Sequence, residues 1–158
     1  MSTWAEFAAA SPQLAVFGSG RFVDAAVAYL ATVRPDGSPR VHPVTPIIGE
    51  GRLFLFMEPT SPKGRDLRTN PRYALHSLVV DQHGASGEFL VCGSARPVTD
   101  PSTRRAAAAA APYSPADRYV LFELDVEEAS SAVYKGKTPV RQRWRAGPSN
   151  SARRSAQS

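Results

Sequence analysis

Short apolar blocks, each cut off by a Pro- or Gly-rich turn, run through most of this chain, and that spacing predicts strands joined by tight turns. Residues 26–34 (AVAYLATVR) read as a buried strand. Pro35-Asp36-Gly37-Ser38 then turns the chain, proline setting φ at its first position and Gly37 supplying a positive φ. Residues 40–48 resume as a strand in which Pro39, Pro43 and Pro46 each lack a ladder donor. That predicts an edge, a bulge, or backbone left free to face a ligand. After Gly49-Glu50-Gly51, residues 53–57 (LFLFM) form a strongly apolar core strand. Residues 63–70 have helical character with Asp66 and Leu67 inside, and Asn70-Pro71 is a helix exit.

Residues 73–80 (YALHSLVV) make a fourth strand, 81–87 (DQHGASG) a loop, and 88–98 a fifth strand with Gly93 as a bulge or close-approach point. Asp100 or Ser102 caps a helix over 103–111, whose six consecutive alanines give propensity but a thin hydrophobic face. In residues 119–127 (YVLFELDVE), Val120, Phe122, Leu124 and Val126 share one side, and Glu123, Asp125 and Glu127 the other. This period-two pattern predicts a half-buried strand whose carboxylates, with Glu128, form a solvated face. Residues 129–135 and 140–145 complete the strands. At the other end, Thr3-Trp4-Ala5-Glu6 is a capping box and Ser11-Pro12 a second helix start, with Gly20 a plausible stop. Residues 3–22 are therefore read as one or two helices packed across the sheet.

The count is seven or eight strands with three helices, and the short turns favour antiparallel pairing. The fold class is mainly β, a small barrel with helices on its rim. At 158 residues the chain fits one domain. Its bounds are 1–145, with an N-terminal helical segment over 1–24 and a disordered tail over 146–158.

Composition changes this picture little. Hydrophobic content of 42% and charged content of 21% are ordinary for a soluble globular protein. No apolar run spans a bilayer, and no secretory signal opens the chain. The single cysteine, Cys92, excludes an internal disulfide and fits a reducing cytoplasm. A formal charge of +5 raises the question of nucleic acid. Five of the 19 basic residues, Arg141, Arg143, Arg145, Arg153 and Arg154, fall in the last eighteen positions among Gly, Pro, Ser and Asn. A solvated, partly disordered tail accounts for them, and nucleic acid is not the expected partner.

Candidate chemistry gathers at Thr60-Ser61-Pro62-Lys63-Gly64-Arg65. Two hydroxyls, an ammonium and a guanidinium precede or open a helix whose first N–H groups are unpaired, an arrangement that suits a phosphate. The Walker spacing is absent. Two short turns bring Arg40 to the same region, and His42, two residues on, shares its strand face. His42 is the one candidate for a proton donor; His76 reads as structural and His83 as a loop residue. No histidine pair has metal-ligand spacing, Ser61 lacks a hydrolase elbow, and no G-x-G-x-x-G follows a strand.

Three stretches, LATVRPDGSPRVHPV, RLFLFMEPTSPKGRDLRTNPR and GEFLVCGSARPVTDP, resemble the FMN-binding split-barrel family related to pyridoxamine 5′-phosphate oxidase, which also holds deazaflavin (F420) dependent reductases. The resemblance covers roughly residues 12–145. It implies an antiparallel split β-barrel working as a homodimer, with the cofactor ring in a groove between subunits. It further implies that Arg40, Ser61 and Lys63 meet the cofactor phosphate and that the backbone of Val41, His42 and Pro43 runs along the ring. Met57 and Thr60 would lie nearby, Glu88 would come from the partner subunit, and Trp144 would border the site. The chain departs from the oxidase at Thr45, where that enzyme has lysine, and at Pro62, where it has arginine. Arg143-Trp144-Arg145 replaces its C-terminal R-x-H substrate motif, which argues against pyridoxamine phosphate as substrate. The resulting expectation is an oxidoreductase that passes a hydride between FMN, or F420, and a small planar organic molecule. The alternative is a non-catalytic carrier or sensor of flavin or haem, with His42, His76 and His83 the only imidazoles available to haem.

Overall fold

A computed structural model describes residues 2–148 of the chain. The expected disordered tail lies, from residue 149 on, outside the described residues. Helix α1 (Trp4–Ala10) starts at the capping box, Thr3 Oγ1 accepting from the Glu6 N–H while Glu6 accepts from the Thr3 N–H. Helix α2 (Pro12–Ala25) starts with Pro12 in its first turn. It does not stop at Gly20. Its buried face, Leu14, Ala15, Gly18 and Phe22, continues past that residue, and tertiary packing outweighs the propensity of the glycines. Gly18 is needed for that packing, because a Cβ there would lie 2.3 Å from the ring of Phe89.

The strands follow as β1 (Ala28–Val33), β2 (Pro39–Val44), β3 (Ile47–Gly49) and β4 (Arg52–Met57). After α3 (Pro62–Thr69) come β5 (Arg72–Ser77) and β6 (Glu88–Val98). Helix α4 (Pro101–Ala110), capped by Asp100, precedes β7 (Val120–Leu124), β8 (Glu128–Lys135) and β9 (Thr138–Arg145). One more strand forms than the upper count expected. The proline-rich stretch after residue 39 divides at Thr45-Pro46, β2 pairing with β1 and β3 with β4. Pro46 has no N–H to carry a ladder across that point.

All pairings are antiparallel, and the long strand β6 is shared between two sheets. Its first half pairs with β5 and β8, giving the order β2-β1-β5-β6-β8-β9; its second half pairs with β7, leading on to β4 and β3. The switch falls at Gly93 and Ser94, where a Cβ on Gly93 would lie 2.3 Å from the carbonyl oxygen of Asp125. Gly93 is thus the expected close-approach point. The two sheets curl around Leu30, Leu75, Val91 and Phe89 from one side and Leu55, Met57, Phe122 and Leu124 from the other, with Trp4, Phe7 and Phe22 closing the end. This is the curled antiparallel split barrel. Strand β2 lies at a sheet edge, as its prolines require. Among the described residues no helix is long and apolar enough to cross a membrane.

The solvated carboxylate face expected at residues 123–128 is corrected. Glu128 is exposed and Glu127 half-buried, but Glu123 and Asp125 are each only 3% exposed. The alternation itself holds: Phe122 and Leu124 face the barrel, and Glu123 faces away beside Phe54 and Arg96. That second face is not open to water. Helix α4 packs on it through Ala107, Ile47, Phe54 and Leu121, and Arg52 and Arg96 close over Glu123.

Asp125 follows β7 and is held by the Ser94 N–H on Oδ1, while its Oδ2 has no hydrogen-bond partner among the described residues. Burial raises this carboxyl above its ordinary value, despite the opposing hydrogen bond from Ser94. The folded chain therefore holds that proton more tightly than the unfolded chain. The resulting stability is present at low pH and lost as pH rises through the raised value. Asp125→Asn keeps an acceptor for Ser94 and cannot ionise. Its stability relative to the parent should grow as pH rises above the ordinary carboxylate range, read by urea denaturation; a constant difference would contradict the assignment.

Candidate functional site

The hairpin β1–β2 places Arg40 opposite Thr32 and His42 opposite Leu30, so Arg40 and His42 sit on the inward side of an edge strand. Helix α3 lies against the same end of the barrel. Its close approach is set by Gly64, whose Cβ position is 3.0 Å from Met57 Sδ. Leu67 and Asp66 turn inward, as the sequence predicts.

Asp66 organises the cluster. One carboxylate oxygen accepts from Thr32 Oγ1 at 2.8 Å and from Arg40 Nε at 2.7 Å. Burial alone would raise this carboxyl, but the bonds from Arg40 and Thr32 hold it below its ordinary value. The Arg40 guanidinium is thereby fixed through Nε, and its terminal nitrogens remain for another anion.

Ser61 stands at the N-cap of α3 yet makes no capping bond with its side chain. Its Oγ instead accepts from Lys63 Nζ at 3.0 Å. Lys63 is half-buried, forms no ion pair among the described residues, and has its ammonium lowered by that burial. Pro62 takes the position where an N–H would be unpaired in any case. The open first turn of α3, the buried Ser61 hydroxyl, the Lys63 ammonium and the tethered Arg40 make an anion cradle. His42 lies within its field: burial first, then Lys63 and Arg40, push the imidazole below its ordinary value against the pull of Asp66. It is therefore neutral at pH 7, able to accept a proton or share one.

Other expected residues fall variously. Met57 is buried beneath α3, and Thr60 is exposed in the preceding turn. Val41 and Pro43 are exposed on the opposite face of β2 from His42, and the outer rim of this strand pairs with no other strand. Glu88 and Trp144 are not near the cradle within one chain. Glu88 lies at the start of β6 with one oxygen 3.5 Å from His76 Nε2. Trp144 is on β9, its ring 5.1 Å from that of Phe7. Thr32 and Asp66 are structural partners that motif spacing alone did not single out. Counting back across the Pro35–Ser38 turn from Arg40 would have reached Thr32.

These features accompany measurable likeness to known proteins. A pyridoxamine 5′-phosphate oxidase-related, FMN-binding protein from Nostoc punctiforme superposes with a TM-score of 0.65 at 14% identity, over 87% of this chain and 90% of that one. A heme binding protein from Mycobacterium smegmatis superposes at 0.63 and 19% identity over 82% of this chain, which spans 57% of that chain's length. A NimC/NimA family protein from Clostridium acetobutylicum gives 0.60 at 20% identity, over 78% and 88% of the two chains. No curated protein sequence matches. The family model described as pyridoxamine 5′-phosphate oxidase matches residues 21–132, from the last turns of α2 into β8. Since that stretch is well over half of the chain and contains the whole anion cradle, the protein belongs to the pyridoxamine 5′-phosphate oxidase family.

Proposed function

We propose that this chain binds a phosphorylated flavin, FMN or the deazaflavin F420, and passes a hydride between it and a small planar organic substrate. The observation that carries this is the half-buried Lys63 ammonium, hydrogen-bonded to Ser61 at the opening of α3 and without an ion pair among the described residues, with Arg40 held one hairpin away. A partly buried cation with no carboxylate beside it is a ready site for an anion. Lys63, Ser61 and the terminal nitrogens of Arg40 would hold the phosphate, and the unpaired rim of β2 at Val41–Pro43 would meet the ring. The cofactor, when bound, supplies the hydride chemistry. The chain's part is to fix the phosphate, set the ring against β2, and offer the neutral His42 as a proton acceptor near it.

The reading includes a homodimer. The outer face of the first sheet exposes Tyr29 at 40% and Val41 at 62%, and among the described residues no helix covers it. A second copy on that face would enclose the ring side of the cradle, and would be the source of Glu88.

Titrating the purified chain with FMN, F420 and haemin tests the proposal. Quenched flavin fluorescence, or the matching shift for F420, together with a dimer by sedimentation, is the expected result. Binding of haemin alone would overturn it in favour of a carrier. That alternative has its own support: the likeness to a heme binding protein, and a half-exposed His76 whose Nδ1 donates to the Ser77 carbonyl at 2.7 Å while its Nε2 faces Glu88 at 3.5 Å.

A further inference from the structure

Strands β4 and β7 pair as far as Met57 and Val120, and the ladder stops there. Beyond that pair one strand leads into the turn Glu58-Pro59-Thr60-Ser61, closed by the Ser61 N–H donating to the Glu58 carbonyl at 3.0 Å. That turn delivers Ser61 and Lys63 to the anion cradle. The other strand is entered from residues 111–119, the irregular connection between α4 and β7. Where the ladder ends, a side-chain contact takes over. Arg118 Nε donates to Glu58 Oε2 at 3.0 Å and Arg118 Nη2 to Glu58 Oε1 at 2.6 Å, a two-pronged fork on the first residue of the turn.

The fork springs from a fixed base. Arg104 of α4 donates to the carbonyls of Tyr119 at 2.7 Å, Asp117 at 3.1 Å and Ala116 at 3.3 Å, on either side of Arg118. The Arg104 guanidinium also lies 5.1 Å from the ring centre of Phe56 on β4, two residues before Glu58. Arg118 itself lies over the Tyr119 ring at 5.2 Å. The side chains of Arg118 and Glu58 are 65% and 43% exposed, so the pair adds little to global stability. Its place gives it a different effect. Holding Glu58 holds the start of a turn whose second residue is a proline of fixed φ, and so limits where Ser61 can stand. Ser61 Oγ in turn accepts from Lys63 Nζ. A small displacement at the turn is passed on to both groups that face the ligand.

We propose that Arg118 is a positioning residue of the anion cradle, acting through Glu58 to set the turn that presents Ser61 and Lys63 to the ligand's phosphate; the identity of that ligand rests on the phosphorylated-flavin reading. Four variants of the full chain test it: Glu58→Gln, Arg118→Gln, the two together, and the charge exchange Glu58→Arg/Arg118→Glu. Amide hydrogen exchange, followed by NMR without ligand, reads the turn itself at the Ser61 and Arg65 N–H groups, which donate to the carbonyls of Glu58 and Ser61. Each single variant should speed exchange at both amides about fivefold, near the upper limit for an exposed ion pair of good geometry. The double variant should be no faster than either single one, and the charge exchange should restore part of the protection. FMN should bind each single variant about fivefold more weakly, with riboflavin affinity unchanged and the thermal midpoint within about 2–4 °C of the parent. Unchanged exchange at Ser61 and Arg65 overturns the proposal, as does a double variant in which the two single effects add. Equal weakening of FMN and riboflavin overturns it too, since the pair would then act on the fold and not on the phosphate contacts. A parent that binds no FMN removes the flavin reading instead, and the exchange rates still decide the role of Arg118.

Discussion

Lys63→Ala is expected to weaken FMN binding about 10- to 100-fold, the equivalent of about 1.5–3 kcal/mol for one charge-assisted contact. Arg40 cannot make up the loss, because its Nε is committed to Asp66 and its position is fixed by that bond. Ser61 offers only a hydroxyl. Riboflavin, which lacks the phosphate, should bind the parent and the variant alike, so the ratio of the two ligands isolates the phosphate contact from any general damage. Alkaline pH provides a second measure. Burial lowers the Lys63 ammonium from the ordinary lysine range, so its charge is present at neutral pH and lost earlier than usual as pH rises. FMN affinity of the parent should therefore fall at a pH below that of an ordinary lysine, and the variant should lack this step. An unchanged FMN-to-riboflavin ratio in Lys63→Ala would remove the phosphate assignment.

Much of this site was legible because it depends on local chemistry. The turn at Pro35–Ser38 sets the hairpin register, and the register puts Arg40 and His42 on one face. Pro62 marks the start of α3, and a strand ending just before it places Lys63 at the barrel's end. The prolines of β2 foretold an edge, since each lacks the donor an inner strand needs. What the pattern did not carry were facts about the far side of each element. Gly20 read as a helix stop because glycine propensity is local, whereas α2 continues through packing on Phe89 and its neighbours. Glu88 and Trp144 belong to strands whose place in the sheet is decided by where β6 switches partners, at Gly93 and Ser94. Pairing partners distant in sequence leave no periodic trace in either strand.

Glu123 shows the same limit in energetic form and supports the largest expected effect on stability. A charged residue on alternate positions of a strand normally means solvent, yet this carboxylate is sealed by two basic side chains from different strands. Arg52 Nε lies 3.0 Å from one of its oxygens, an ionic contact without good hydrogen-bond geometry, and Arg96 meets the other. The arrangement is asymmetric. The side chains of Arg52 and Arg96 are 40% and 50% exposed, whereas that of Glu123 is 4% exposed. Losing the glutamate lets both guanidinium groups return to water; losing the arginines leaves a buried charge with no partner. Arg52→Ala/Arg96→Ala should therefore cost about 3–5 kcal/mol in chemical denaturation, far more than exposed ion pairs are worth. Glu123→Leu should cost much less, because a leucine beside Phe54 and Leu121 is compatible with the apolar layer under α4. Adding Glu123→Leu to the double arginine variant should then recover most of the loss, a coupling that only a stranded carboxylate would produce. If the arginine pair costs no more than about 1 kcal/mol, or the third substitution recovers nothing, Glu123 is not held in place by charge.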